Sequence, residues 1–402
     1  MLRLGPGMTA RRLGVVEGYD VLEVYIGPQH PASGHMRLIV KLDGDRIAAV
    51  DPDIGYVHRT MEKLAETREY IRIIPLFERM TIIDSCNVTL PLVEAIERLL
   101  GVEPPPRSRY LRALLCEVNR IASHLYGLGI GSVMLNHSTM YMWAFGDREV
   151  WLTIAEKLTG ARLTHTYIIP GGVRRDMPRG LRDDIEKACR YMERRLRDYE
   201  KIFLKNPVVE ARLAGVGVLP ASRAVELGVV GPNLRASGVA YDVRLTGYAA
   251  YSDIDFEPVV GVDGDCLERV RMRVEEIRAS IELIRRLLRG MPEGGFFADK
   301  YIKMLPPRLR RVVASEGRVK LPGAIVRLRP RPGRVVSRGE AARGEITYYI
   351  ESRGGVKPYR VRVVTPSARN VVLFRELPPG HKLMDLPAIY ASLDYFPPEA
   401  DR

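Results

Sequence analysis

The sequence predicts an α+β fold: a central helix bundle with small antiparallel β elements at its N-terminal and C-terminal ends. Three observations lead there. Residues 20–27, 36–44 and 46–55 alternate apolar with polar side chains, the period of a half-buried strand. Residues 107–126, 182–204 and 267–289 repeat apolar side chains at spacings of three and four, the stripe of a helix with one buried face. Residues 346–355 and 357–366 alternate again around Gly354-Gly355, as a hairpin does.

The elements follow in order. DVLEVYIG, MRLIVKLDG and RIAAVDPDIG form a sheet, with Asp43-Gly44-Asp45 as a turn and the loop GPQHPASGH joining the first two strands. Segment 87–100 is helical, Pro91 marking a start or a kink. In 107–126 the stripe is Leu111, Leu114, Leu115, Val118, Ile121, Ala122 and Leu125, and Gly127 is its expected stop. No Asp, Glu, Lys or Arg occurs from Ile121 to Gly146. That length can cross a bilayer, but glycines and polar residues interrupt it. It reads as a helix end, a Gly-rich loop around Gly127, Gly129 and Gly131, and the start of a helix over 139–158. The loop would face a cavity or a membrane surface.

The next stripe is Ile185, Cys189, Met192, Leu196, Tyr199 and Phe203. The last is Val270, Val274, Ile277, Ile281, Ile284 and Leu288, closed by Gly290 and Pro292. Residues 291–345 are rich in Pro, Gly and Arg and read as an extended arm or irregular linker. The expected division is a β region at 1–55, a helical core at 56–295, and an arm, hairpin and closing segment at 296–402, packed as one unit.

The chain has 402 residues, 46% of them hydrophobic and 28% charged, and a net charge of +13 from 51 Arg and 11 Lys against 49 acids. Such an excess suits an acidic subunit, an anionic membrane surface or nucleic acid, or is simply a solvated Arg-rich surface. No nucleic-acid-binding module or aromatic–basic interleaving accompanies it, so nucleic acid is not expected. One Gln and six Asn suit a thermophile, or a biased genome composition. Cys86, Cys116, Cys189 and Cys266 form no CxxC pair, so a metal site local in sequence is not expected. The first fourteen residues lack the apolar core of a secretory signal, and a reducing compartment is expected.

Candidate chemistry is sparse. His30 and His35 have no Cys, Asp or Glu nearby, too few ligands for a metal. They are a catalytic base with its partner or only a polar turn between strands. Glu117, Arg120 and His124 share one helix face, as a buried ion pair or a functional set. Arg343 with Glu345, and Arg235, Tyr241, Asp242 and Arg244, suggest buried networks or a ligand surface. No phosphate loop, GxGxxG or GxSxG is present. Spacing alone reaches a large α+β protein that belongs to an assembly.

Seven motifs in order carry a resemblance: GPQHP (27–31), GYVHRTMEKLAETREY (55–70), EVNRIASHL (117–125), TYIIPGGVRRDMP (166–178), LRASGVAYDVR (234–244), ARGEITYYIESRGG (342–355) and PYRVRV (358–363), closed by Asp401-Arg402. As a set they resemble the D-type subunit of NADH–quinone oxidoreductase, respiratory complex I, a family that shares the [NiFe]-hydrogenase large-subunit fold. Hydrogenases of that fold hold nickel with two CxxC pairs. The matching positions here are Thr81, Asp84, Phe396 and Glu399, so the resemblance implies no nickel and an emptied cavity where a quinone head group goes.

The resemblance further implies a small partner subunit with a [4Fe–4S] cluster, Arg79 and His165 beside that cluster, and His35 as the catalytic donor to the quinone. The family's tyrosine and aspartate in that pocket align with Ile82 and Met134. His137 is a candidate replacement. NAD would be used only through other subunits. Other peripheral and membrane subunits, and the cytoplasmic face of an anionic membrane, are the expected surroundings. The alternative is a hydrogenase-related ion-pumping complex, also without nickel, that uses ferredoxin and a non-quinone acceptor such as a sulfur species.

Overall fold

The computed structural model describes residues 2–5, 8–16, 19–30, 34–304, 307–319 and 327–402. The chain begins with a five-stranded antiparallel sheet in sequence order: β1 (Leu2–Gly5), β2 (Met8–Val16), β3 (Tyr19–Ile26), β4 (Arg37–Asp43) and β5 (Arg46–Asp53). In β4 the predicted alternation is plain, with Leu38, Val40 and Leu42 buried and Lys41 and Asp43 exposed. The strands β1 and β2 add to the three read from sequence; adjacent Arg11 and Arg12 mask the alternation of β2. Pro31, in the loop between β3 and β4, lies outside the described residues.

Two short helices, α1 (Met61–Glu66) and α2 (Tyr70–Glu78), precede the bundle and are too brief for a periodic signal. The long helices are α3 (Ser85–Leu100), α4 (Pro106–Met134), α5 (Ser138–Thr159), α6 (Leu181–Tyr199), which runs on into a π-helical turn over Glu200–Leu204, and α10 (Cys266–Gly290). Between them lie the ribbon β6 (Ile168–Ile169) and β7 (Gly172–Val173), then α7 (Pro207–Leu213), α8 (Ala221–Glu226) and α9 (Pro232–Arg235). The helix α4 is central, packing on α3, α5 and α10. Its buried stripe includes every apolar residue named from sequence.

The Gly-rich loop expected within 121–146 is not formed. A single helix, α4, runs unbroken through Gly127, Gly129 and Gly131 to Met134, and the loop is confined to 135–137. Packing is the reason. A Cβ on Gly129 would sit 2.7 Å from the Phe145 ring of α5, and one on Gly127 would sit 2.7 Å from the Asp394 carboxylate. These glycines admit close neighbours, at a propensity cost of about 1 kcal/mol each. Among the described residues no helix is long and apolar enough to cross a membrane.

The arm expected at 291–345 is also more ordered than its composition suggested. It contains α11 (Asp299–Met304), α12 (Pro307–Glu316) and β8 (Gly333–Ala341); its residues 305–306 and 320–326 lie outside the described residues. The flanking Pro and Arg residues hid β8, whose backbone pairs antiparallel with β9 (Gly344–Ser352). In turn β9 pairs with β10 (Arg360–Val364), the hairpin expected around Gly354-Gly355. Ile346, Tyr348 and Ile350 of β9 are buried, with Phe77 edge-on to Tyr348 at 5.4 Å. The chain closes with α13 (Pro366–Asn370), α14 (Leu373–Glu376), α15 (Leu386–Leu393) and α16 (Pro397–Asp401).

Candidate functional site

Thr81 and Asp84 occupy the turn between α2 and α3, and Phe396 and Glu399 lie at the start of α16. The fold brings these distant positions together. Thr81 Oγ1 donates to Glu399 Oε1 at 3.4 Å, and the other Glu399 oxygen accepts from Ser367. Asp84 accepts from Asn87 Nδ2 and from the Ala342 N–H, each at 2.6 Å. The next residue, Arg343, lays its guanidinium over the Phe396 ring at 5.4 Å and lies within electrostatic reach of Asp84 and Glu399. Burial pushes Glu399 up to about 7, against the pull of Arg343 and Ser367. It pushes Asp84 up to about 6, against Arg120 and Asn87.

Arg343 is placed by the two-residue turn between β8 and β9. That turn abuts the start of α9 so closely that a Cβ on Gly231 would lie 2.3 Å from the Arg343 carbonyl oxygen. A hydroxyl, two carboxyls, a phenyl ring and a guanidinium make a donor set that does not fit nickel, which selects soft thiolates. No group of three or more His, Cys, Asp or Glu side chains suited to a metal ion occurs among the described residues.

The segments that carry Arg79 and His165 are joined through a residue that carried no signal in the sequence. Glu78 is buried, and its two oxygens accept from the N–H and hydroxyl of Thr166 at 2.6 and 2.8 Å. This pins the loop that carries His165 against the end of α2, beside exposed Arg79. Ser85 Oγ donates to the Leu163 carbonyl at 2.7 Å in the same seam. His165 is 2% exposed. Its Nδ1 lies 3.0 Å from the Ala161 carbonyl, which fixes it as the protonated nitrogen. Its Nε2 has no partner among the described residues, and burial lowers its pKa to about 4. Ile82, 41% exposed, lies on the same turn as Arg79.

A cavity of about 340 Å³ opens between α4, the tip of the loop after β3, and the segment joining α15 to α16. His35, Tyr126, Met134, Asp394, Tyr395 and Phe396 are among its lining residues; Ile82 and His137 are not. His35 is exposed and takes a left-handed backbone, φ 74°, an uncommon conformation for a residue with a side chain. His30 is half-buried, with its pKa lowered by burial. The structure places His137 at the N-cap of α5, where Nδ1 accepts from the Met140 N–H at 3.1 Å and Nε2 lies 3.3 Å from the Ile202 carbonyl.

Behind the cradle the polar motifs form one buried network. Glu117 accepts from Arg120, Arg244, Ser280 and Tyr251. Burial alone would raise its pKa, but Arg120 and Arg244 hold it below the usual range. Arg235 joins Glu276 at 2.6 Å and Glu340 at 2.8 Å, and His124 joins Glu276 at 2.8 Å. The sequence pointed to most of these residues as networked or ligand-facing; the structure makes them internal ties between α4, α9, α10 and β8. Asp394, Tyr126 and Ser367 carried no distinguishing signal in the sequence.

The fold is that of a subunit of a membrane respiratory complex. A chain of the membrane-bound sulfane sulfur reductase, an archaeal respiratory membrane complex, superimposes with a TM-score of 0.86 at 35% identity, covering 97% of this chain and 100% of that one. The chain belongs to the family of the 49 kDa subunit of respiratory-chain NADH dehydrogenase, whose family model matches residues 135–402. Among its relatives, a D-type subunit of the NADH-quinone oxidoreductase of Thermodesulfovibrio yellowstonii is 38% identical over 385 residues, 94% of this chain and 96% of that protein. The D-type subunit of the Thermus thermophilus enzyme is 38% identical over 387 residues, 95% of this chain and 94% of that one. The protein is thus an oxidoreductase subunit with the hydrogenase-related fold anticipated from its motifs.

Proposed function

We propose that this chain forms, with a small partner that carries a [4Fe–4S] cluster, the pocket where a membrane quinone is reduced at the cytoplasmic face of the membrane. The carrying observation is the cavity beside the Thr81–Asp84–Phe396–Glu399 cradle, entered past His35 and the charge-free end of α4. Its size suits a single aromatic head group, and Met134 offers an apolar wall to a tail. The partner's cluster would supply electrons one at a time. This chain's own part is to bind and orient the acceptor. His35 donates to one carbonyl from a preorganised loop tip, while Arg79 and His165 set the electrostatics on the partner's side. The basic surface fits acidic neighbouring subunits and anionic lipid; NADH would be oxidised on other subunits.

A second reading keeps the same pocket but gives it a sulfur acceptor and a ferredoxin donor. Its support is the likeness to the sulfane sulfur reductase chain, together with Ile82 and Met134 where the family has its tyrosine and aspartate. One experiment separates them. The complex, purified in mild detergent, is extracted with organic solvent and assayed with quinone and with polysulfide. A stoichiometric quinone, with quinone reduction slowed at least tenfold in His35→Ala, is expected. Polysulfide reduction without bound quinone would overturn the first reading.

A further inference from the structure

The family's two polar head-group residues are Ile82 and Met134 here. Ile82 is outside the cavity and Met134 is apolar, so the polar end of the pocket has another source. Asp394 lines that end. It sits in a left-handed backbone, φ 49°, just past α15, held at two points by Arg343, whose Nε donates to the Asp394 carbonyl at 2.7 Å and whose Nη2 donates to Oδ1 at 2.9 Å. Its side chain is 6% exposed, and it is pressed against α4 at Gly127, where a Cβ would fall 2.7–2.9 Å from the carboxylate.

Oδ2 makes no hydrogen bond among the described residues. Arg273 Nε lies 3.7 Å from it, within ion-pair range but beyond hydrogen-bonding distance, and Nε likewise makes no hydrogen bond among the described residues. A buried carboxylate oxygen left open is costly, and a native fold seldom keeps one without a use. Tyr126 precedes Gly127 on the same helix and lines the same cavity. It lies within electrostatic reach of Arg343 and Asp394, whereas Tyr395, on the same cavity, lies within electrostatic reach of Asp401, Tyr390 and Glu399.

We propose that Tyr126 and Asp394 are the acceptor-binding pair of this pocket: the Tyr126 hydroxyl donates to a carbonyl of the oxidised quinone, and Asp394 Oδ2 accepts from the hydroxyl that replaces it on reduction. This rests on the quinone reading above. In the overall step the quinone takes two electrons from the partner's iron–sulfur cluster and two protons from water, and each C=O becomes C–OH. Neither side chain is consumed. An oxidised quinone has only acceptor oxygens and cannot satisfy Oδ2; the hydroquinone can. The open oxygen therefore discriminates between the two forms and favours the reduced one, which makes the bound acceptor easier to reduce than the free quinone. A hydrogen bond to a charged group corresponds to about tenfold to a hundredfold in affinity.

The test uses the intact complex with Tyr126→Phe and Asp394→Asn, and a decyl-tailed benzoquinone and its hydroquinone as probes. Dissociation constants are measured for both forms, beside KM, kcat and donor-side reduction of the cluster by EPR. Asp394→Asn should weaken the hydroquinone tenfold or more and change the quinone less than threefold. Tyr126→Phe should do the reverse, and cluster reduction from the donor should stay as in the parent complex. Should Asp394→Asn fail to assemble, Tyr126→Phe, which removes one oxygen, decides alone. Equal weakening of both forms, or no change in a parent complex that reduces quinone, overturns the pair. A parent complex that binds neither probe overturns the quinone reading as well.

Discussion

At the residue scale, environment sets each side chain's protonation. With Nδ1–H committed to the Ala161 carbonyl, the neutral His165 ring presents a bare Nε2. A reduced cluster beside it would add negative charge and raise the pKa from about 4. His165 would then be a cation only when its neighbour is reduced and protons are abundant. In EPR redox titrations of the complex, the midpoint should fall as pH rises from 5 to 8, and His165→Ala should lower it at pH 6 and flatten that slope. Glu399 gives a second prediction. Its folded pKa of about 7 lies above the ordinary value near 4.3, so its stabilisation is complete below that ordinary value and is lost as pH rises through 7. The shift corresponds to about 4 kcal/mol. The melting temperature of the complex should drop between pH 5 and 8, and less steeply in Glu399→Gln.

At the element scale, close backbone approaches position the site. The β8–β9 turn carries Arg343 into the cradle only because Gly231 and Gly344 have no side chains where α9 meets it; a Cβ on Gly344, at φ 127°, would fall 2.6 Å from the Gly231 nitrogen. A methyl at Gly231 meets backbone, which has no rotamer to move aside. Gly231→Ala should displace Arg343 from Asp394, destabilise the chain by at least about 2 kcal/mol, and cut acceptor turnover more than cluster reduction. Equal turnover in the variant complex would show that the turn is not what holds Arg343. The glycines of α4 belong to the same scale. They looked like a loop because Gly is a helix breaker by propensity, yet tertiary contact with Phe145 and Asp394 overrides that preference.

At the scale of the whole molecule, segments far apart in the sequence are tied together. Asp401 accepts from the Gly55 and Val57 N–H groups at 2.9 Å each, and Arg402 Nη1 donates to the Val363 carbonyl at 2.6 Å. The motif GYVHR is thus the receptor for Asp401, which fixes α16 and, with it, Phe396 on the cavity wall and Glu399 in the cradle behind it. Asp401→Ala should expose 395–402 to limited proteolysis and raise the acceptor KM at least fivefold, while donor-side reduction persists. An unchanged cleavage pattern would mean that the tie is dispensable.

The sequence by itself determined the α+β class, the five long helices, the two regions of antiparallel strand and, through seven ordered motifs, the family. Helix stripes and strand alternation are local periodicities, and they survive without knowledge of the partner surface. It also pointed to the cradle positions, because they align with a family pattern. Only the tertiary structure decided that α4 runs unbroken, that β8 completes the C-terminal sheet, that Glu78 ties the end of α2 to the loop carrying His165, and that Asp394 and Tyr126 share a cavity with His35. Each of those depends on contact between residues tens to hundreds of positions apart. No period or propensity along the chain encodes which distant atom will fill the space a glycine leaves, or which carboxylate oxygen will be left without a partner.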